Sequence, residues 1–104
     1  QAARFGVETV PIHGFTPERV PGLTAPVYVS LDLDALDPAH APGVSHPEPG
    51  GLTVREVLQV LDRCDAMIAG ADIVECNPRF DRDDVTAITA AKFVREIAAR
   101  MAAT

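Results

Sequence analysis

Residues 27–34, Val-Tyr-Val-Ser-Leu-Asp-Leu-Asp, decide the fold and carry the first candidate site. β-Branched, aromatic and aliphatic residues favour a β-strand, and the prolines that flank this stretch are typical of strand ends. We therefore predict a strand over residues 27–34. Because side chains alternate along a strand, Asp32 and Asp34 are expected to point to the same side of the sheet.

The rest of the chain predicts alternating elements around this strand. Thr53 and Glu56 have the spacing of a capping box, which opens a helix with one apolar face. The mostly apolar residues 67–75 predict a second strand that is buried on both faces. A last helix is predicted over residues 85–101, after an acidic segment that suits a helix N-terminus. Strand, helix, strand, helix is the order of a parallel α/β sheet with flanking helices.

Other segments carry weaker expectations. Residues 7–13 predict a short strand. Residues 35–52 have no period and are rich in proline and glycine, which predicts a stiff, shaped loop. Cys64 and Cys76 are interpreted as apolar core residues. The inner face of the last helix is expected to consist of Val85, Ile88, Phe93, Val94, Ile97 and Met101.

Composition excludes several classes of function. The 104 residues include 9 basic and 15 acidic side chains, for a net charge of −6. This charge argues against binding to nucleic acid or to an anionic membrane. No apolar run approaches the roughly 20 residues of a membrane helix. The two cysteines form no disulfide framework, which indicates a reduced setting, and we expect a cytoplasmic protein.

The acidic pair Asp32 and Asp34 is the strongest chemical signal. Two nearby carboxylates repel each other, and a cation between them removes that cost. Hard oxygen ligands suit Mg²⁺, Ca²⁺ or Mn²⁺. The alternative is that the pair lies at a strand end in water. Asp37, which precedes a proline, is interpreted as a structural turn former.

Glu75 is the second signal, because it ends an otherwise apolar strand. Ligands gather at the carboxyl ends of parallel strands, so Glu75 is expected to converge with Asp32 and Asp34 on a site for a metal or a cationic substrate. A salt bridge from Glu75 to an arginine is the alternative. Asp72, in the same strand, is expected to bond loop backbone.

Two further interpretations concern neighbouring residues. His46 lies in the loop that leaves the acidic pair, where it could line a pocket or simply face solvent. A strand that ends in Asp-x-Asp also begins the aspartyl-phosphate hydrolases of the haloacid dehalogenase type. Those enzymes usually carry Thr or Val where this chain has Leu36, and only 70 residues follow Asp34 here. Both features weigh against that interpretation.

Three motifs together closely resemble the C-terminal part of the ureohydrolase family, which contains arginase, agmatinase and related guanidino hydrolases. They are Ser-Leu-Asp-Leu-Asp-Ala-Leu-Asp-Pro at 30–38, Gly-Gly-Leu-Thr at 50–53 and Asp-Ile-Val-Glu-Cys-Asn-Pro at 72–78. The 43–51 loop is most similar to arginases of plants and many bacteria. The resemblance implies a three-layer α/β/α fold. Residues 1–104 would be the C-terminal part of a single domain whose upstream half is missing.

The resemblance also implies a reaction and a set of roles. The reaction is hydrolysis of a guanidino group to urea and an amine, with arginine as the expected substrate and agmatine or another guanidino compound as the alternative. Two Mn²⁺ ions are implied per full-length subunit, with Asp32 bridging them and Asp34 chelating one. Glu75 would accept the guanidinium, and His46 would line the substrate pocket. No side chain is implied as the nucleophile, which is a hydroxide held by the metals.

The family carries its other metal ligands, two His and two Asp, upstream of the part that matches here. We therefore expect the isolated chain to be inactive and to bind Mn²⁺ weakly. Arg55 and Glu56 fall where some members form ion pairs between subunits, which implies a homotrimer or homohexamer. A hypothesis of another class is a catalytically dead fragment or subunit with a role in assembly.

Overall fold

A parallel strand pair and two helices form the frame of residues 3–103, which the computed structural model describes. Short 3₁₀ turns connect these elements. The order confirms the α/β pattern predicted from the sequence. The elements are β1 (Val27–Asp32), α1 (Val54–Asp62), β2 (Ile68–Val74) and α2 (Val85–Ala102).

The two strands run parallel, so both end at the same edge of the sheet. Val27 pairs with Ile68 at one end, and Asp32 pairs with Val74 at the other. The register shifts once, directly after Val27. β1 is shorter than predicted, because the chain turns into a 3₁₀ segment at Leu33. Any residue that follows β2 directly therefore lies close to the end of β1.

Both helices pack against one face of the sheet. Leu61 of α1 and Ile97 of α2 form a buried cluster with Ile68, and Val29 and Ala71 pack against it. Burying this apolar surface is the main force that holds the helices on the strands. The prediction that β2 is buried on both faces is wrong, since most of its residues are only partly buried. Within residues 3–103, helices cover one face alone.

The opposite face of the sheet carries a polar network. The Asp72 carboxylate accepts hydrogen bonds from the Tyr28 hydroxyl at 2.9 Å and from the Ser30 hydroxyl at 2.7 Å. Ser30 and Asp72 are register partners, so their side chains emerge side by side. The prediction that Asp72 bonds loop backbone is therefore wrong. Donation to Asp72 is the main reason that the pKa of Tyr28 is raised above 10.0.

The predicted capping box at the start of α1 is confirmed. The Thr53 side chain accepts from the Glu56 backbone N–H at 3.0 Å, and the Glu56 carboxylate accepts from the Thr53 backbone N–H at 2.9 Å. The Val54 N–H donates to His40 Nδ1 at 3.3 Å. These bonds satisfy backbone groups that the first helical turn leaves without partners. The buried residues of α1 include Val57, Leu58 and Leu61, as the apolar spacing predicted.

The predicted inner face of α2 is wrong at four of its six residues. Phe93 and Ile97 are buried, but the other two buried positions are Thr86 and Thr89. The threonines are tolerated because each hydroxyl is bonded: Thr86 Oγ1 accepts the Gly43 N–H, and Thr89 Oγ1 donates to a loop carbonyl. An apolar count misses such positions. The residues assigned to the inner face that are exposed are Val85, Ile88, Val94 and Met101.

Other sequence predictions divide between confirmed and wrong. Residues 7–13 form no strand; the Phe15 N–H instead closes a turn on the Ile12 carbonyl at 3.0 Å. Pro11 lacks an N–H to donate, and no strand of residues 3–103 lies beside this segment. Residues 36–53 form the predicted loop. Cys64 is partly buried, whereas Cys76 is exposed, so its assignment to the core is wrong.

No helix in the described range, residues 3–103, is long and apolar enough to span a membrane.

Candidate metal and substrate site

The acidic pair lies where β1 passes into a 3₁₀ turn, Leu33–Ala35. The Asp32 carboxylate caps this turn by accepting the Asp34 backbone N–H at 3.2 Å. Leu33 is fully buried and anchors the turn in the core. The two acids therefore lie together, as predicted, but the predicted reason is wrong. A capped turn, rather than the alternation of a strand, brings them close.

The pKa of the Asp34 carboxyl depends on the groups around it. Its pKa is raised above 3.8, first by a hydrogen bond with the Asp32 carboxylate and then by partial loss of hydration. The negative charges of Asp32 and Glu75 raise it further, while His46 acts in the opposite direction. The other three residues predicted for the site, Asp32, Glu75 and His46, therefore lie within electrostatic range of Asp34. The site carries more negative than positive charge, which favours a bound cation.

Glu75 follows β2 directly, next to the register pair Asp32 and Val74. Its backbone has φ 71°, the left-handed region that costs a residue with a Cβ about 1–2 kcal/mol. Its side chain is exposed. Among residues 3–103, Glu75 takes part in no salt bridge, so the alternative of an ion pair with arginine does not hold. An unfavourable backbone at an exposed acid is typical of functional positions.

His46 lies on an exposed stretch of the 36–53 loop. Asp37 fixes this loop at its base, accepting the Ala39 N–H at 2.9 Å and the Gly50 N–H at 2.8 Å. These hydrogen bonds, led by that from Ala39, lower the pKa of Asp37 below 3.8. The structural role predicted for Asp37 is confirmed. The loop is thus held in one shape although it contains neither helix nor strand.

Gly51 returns the loop to the acidic pair. A Cβ at this position would lie 2.7 Å from backbone atoms of Ala35, Leu36 and Asp37, closer than atoms can pack. The close approach lets Leu52 bond the 3₁₀ turn: its N–H donates to the Ala35 carbonyl at 3.0 Å. The end of the loop therefore supports the turn that presents Asp34.

A cleft of about 470 Å³ opens beside Asp34. Its walls are mostly apolar, and Glu48 supplies a second carboxylate. Glu48 was not predicted as a site residue. The available signal was its position in the 43–51 loop, whose sequence is similar to that of plant and bacterial arginases. The other lining residues are Val10, Ile12, Phe15, Ala35, Pro49, Gly50, Gly51 and Leu52.

The acidic pair fits a divalent metal as part of a ligand set. Asp32 and Asp34 offer carboxylate oxygens, which Mn²⁺ and Mg²⁺ prefer, and a cation would offset their repulsion. Within residues 3–103, no group of three or more His, Cys, Asp or Glu side chains is arranged to hold a metal ion. The described chain therefore supplies some of the ligands of a metal site and leaves the set incomplete.

The sequence of the chain was compared with those of known proteins. Residues 8–99 match the model of the arginase family. The chain is 49% identical to arginase 1, mitochondrial, of Arabidopsis thaliana, over 97% of this chain and 32% of that protein. It is 47% identical to the agmatinase of Bacillus cereus, over 69% of this chain and 26% of that protein.

Solved structures give the same result. The arginase from Medicago truncatula superimposes with a TM-score of 0.88 at 43% identity, covering 96% of this chain and 34% of that one. This overlap confirms the predicted fold class. The chain spans about a third of the length of the plant arginases that it matches. On the strength of the family model and of these identities, the chain belongs to the arginase, or ureohydrolase, family.

Proposed function

We propose that residues 1–104 form the C-terminal part of a single ureohydrolase domain, which hydrolyses a guanidino group to urea and an amine. The observation that carries this proposal is the geometry at the carboxyl end of the strands, where Asp32 accepts the Asp34 N–H at 3.2 Å and Glu75 directly follows Val74, the register partner of Asp32. Arginine is the proposed substrate, because plant relatives that match 97% of this chain are named arginases. Agmatine is the second candidate, since agmatinases also match.

Asp32 and Asp34 are proposed as metal ligands. Asp32 would bridge two Mn²⁺ ions, and Asp34 would chelate one of them. When bound, the Mn²⁺ pair supplies Lewis acidity that activates water for hydrolysis. The capped turn holds the Asp32 carboxylate in place through the Asp34 N–H, so one lone pair of Asp32 is already committed and its orientation is set.

Glu75 and His46 are proposed as substrate-binding residues. A carboxylate binds a guanidinium through charge-assisted hydrogen bonds, which are about twice as strong as neutral ones. The side chain of Glu75 is exposed, as this role requires. His46 lies within electrostatic range of Asp34 and would limit how the substrate lies there. The left-handed backbone of Glu75 sets the direction in which its side chain leaves the main chain.

Assembly and location extend the proposal. We propose a homotrimer or homohexamer in which exposed Arg55 takes part in contacts between subunits. Glu56 is less suited to such contacts, because its carboxylate already accepts the Thr53 N–H. A cytoplasmic location is proposed, although the names of the plant relatives include mitochondrial and chloroplastic. The acidic charge of the chain supports neither nucleic acid nor an anionic membrane as a partner.

The second candidate function is a catalytically dead fragment or subunit that keeps the fold for assembly. The incomplete ligand set of residues 3–103 is the observation that favours it. The two functions differ in one requirement: an enzyme needs His and Asp ligands outside the described residues.

Urea release by the protein expressed from its complete coding sequence tests the proposal. With Mn²⁺, the unaltered protein is expected to release urea from arginine and more slowly from agmatine. Asp34→Asn should lower the rate by at least the roughly 10- to 100-fold that loss of an outer-shell partner costs. Asp65→Asn is the matched control, since Asp65 is exposed and precedes the start of β2, whereas the site lies at the ends of the strands. Equal rates for the two variants, or no urea from either substrate, would refute the proposal.

A further inference from the structure

Asn77 connects the segment that carries Glu75 with the loop that carries His46. The Asn77 backbone N–H donates to the Gly43 carbonyl at 2.7 Å. Its side-chain Nδ2 donates to Ser45 Oγ at 2.9 Å. We call these two bonds the Asn77 clamp.

The loop side of the clamp has a rigid base. Gly43 is buried, and its N–H donates to Thr86 Oγ1 of α2 at 2.7 Å. A Cβ at Gly43 would lie 2.9 Å from the Asp81 Cβ and 3.0 Å from the Thr86 Cβ, so only glycine packs there. Asp81 in turn accepts the Thr86 backbone N–H at 2.9 Å. The carbonyl that receives the Asn77 N–H therefore has little freedom to move.

The other bond of the clamp lies between the two proposed substrate contacts. Asn77 is two residues after Glu75, and Ser45 directly precedes His46. We propose that Asn77 is a positioning residue that sets the spacing between Glu75 and His46, and thereby the fit of the guanidino substrate. This inference rests on the proposed function and adds to it a residue that touches neither metal nor substrate.

The exposure of the clamp distinguishes positioning from stability. The bond between Asn77 Nδ2 and Ser45 Oγ is exposed, so water can replace either partner when it is removed. Its loss should therefore cost little stability. Loss of this bond frees the His46 side of the loop to move, whereas the Gly43 end stays held by other bonds. The effect should fall on substrate binding.

Steady-state urea kinetics of the complete protein with Mn²⁺ test the inference. Ser45→Ala and Asn77→Ala should each raise the KM for arginine about 2- to 10-fold, the range that one net hydrogen bond supports. The kcat of both variants should stay near that of the unaltered protein, and so should the melting temperature of Ser45→Ala. Asn77→Ala should melt somewhat lower, because Asn77 Oδ1 also accepts the Arg79 N–H at 3.2 Å and thereby caps the next turn. The double variant should have the KM of Asn77→Ala, because Ser45→Ala removes only the bond to Asn77 Nδ2, which Asn77→Ala has already removed. Ser45→Thr keeps a hydroxyl and should restore the KM.

Ser30→Ala is the matched control, because Ser30 also bonds one exposed side chain but lies on the open sheet face. Its KM should be unchanged. If the unaltered protein is active and Ser45→Ala keeps a normal KM, the positioning role is refuted while the proposed function stands. A lower melting temperature with an unchanged KM would likewise refute it. If the unaltered protein releases no urea from any guanidino substrate, both the function and the inference fall.

Discussion

The backbone of Glu75 allows a sharp test of the trade between stability and function. Glu75 has a positive φ of 71°. Among the residues with a Cβ in the described chain, the others with a positive φ are Asp83 at 51° and Asp84 at 60°. This conformation costs a residue with a Cβ about 1–2 kcal/mol in the folded state. Glycine has no such steric cost, but its greater freedom in the unfolded chain destabilises the fold by about 0.5–1 kcal/mol relative to alanine.

Glu75→Gly should therefore be more stable than Glu75→Ala by about 0.5–1 kcal/mol. Both variants lose the carboxylate, so their difference isolates the backbone. For a domain near 100 residues this corresponds to a melting temperature higher by roughly 2–8 °C. Thermal unfolding of the 104-residue chain, followed by circular dichroism, measures it. In the complete protein, both variants should lose guanidino hydrolysis.

Equal melting temperatures for Glu75→Gly and Glu75→Ala would refute the reasoning, since the left-handed backbone would then cost alanine only about the 0.5–1 kcal/mol that glycine loses through its freedom when unfolded. A variant without the carboxylate that kept normal hydrolysis would refute the proposed role of Glu75. The expected combination is a gain in stability with a loss of activity, which is typical of residues held in place for function.

Three further predictions concern the loop, the open sheet face and acid stability. Gly51→Ala should destabilise the chain by about 1–3 kcal/mol, because its Cβ meets fixed backbone, whereas Gly22→Ala, which meets nothing within 4 Å, should change the melting temperature little. Tyr28 is the only tyrosine and the chain has no tryptophan, so the near-ultraviolet absorbance of tyrosinate reports its pKa directly. Asp72→Asn should lower that pKa towards 10.0; a phenol with a raised pKa contributes stability that is present below its unfolded pKa and is lost as pH rises through the folded one. Hydrogen bonds from loop N–H groups lower the pKa of Asp37, so its contribution to stability is present above 3.8 and is lost as pH falls through the lower folded value. Acid unfolding of Asp37→Asn should accordingly depend less on pH in this range than that of the unaltered chain.

Local rules predicted the parts of the fold that depend on neighbouring residues. The capping box of Thr53 and Glu56 requires only a spacing of three residues, and it formed as predicted. The hydrogen bond from the Ala39 N–H to Asp37 is similarly local, since the two residues are two apart. The parallel pairing of β1 and β2 followed from the order of the elements, because a helix between two strands makes the parallel crossover easy to form.

Expectations that depended on partners elsewhere in the fold were less successful. Residues 7–13 carry a strand-like pattern, but a strand needs a neighbour, and the described residues offer none. The face of α2 was misplaced because Thr86 and Thr89 are buried through hydrogen bonds that no apolar pattern records. Asp72 accepts hydrogen bonds from Tyr28 and Ser30 of the neighbouring strand, and these partners depend on the register of the two strands.

The candidate site shows the same division. The convergence of Asp32, Asp34 and Glu75 was predictable because parallel strands end at one edge. The left-handed backbone of Glu75 was not, since only the folded chain imposes it. Asn77 was also missed, because its bonds cross from one loop to another and leave no periodic signal.

Whether Asp32 and Asp34 belong to a larger metal site can be measured by calorimetric titration of Mn²⁺ into two samples, the protein from the complete coding sequence and the 104-residue chain. We predict that the complete protein binds a pair of ions per subunit and that Asp34→Asn weakens this binding. The 104-residue chain should bind Mn²⁺ only weakly, because its described residues contain no group of three ligands. Tight, stoichiometric binding by the chain alone would contradict the claim that its acidic pair is one part of a larger metal site. Failure of the complete protein to bind Mn²⁺ would contradict the claim that the pair serves a metal at all.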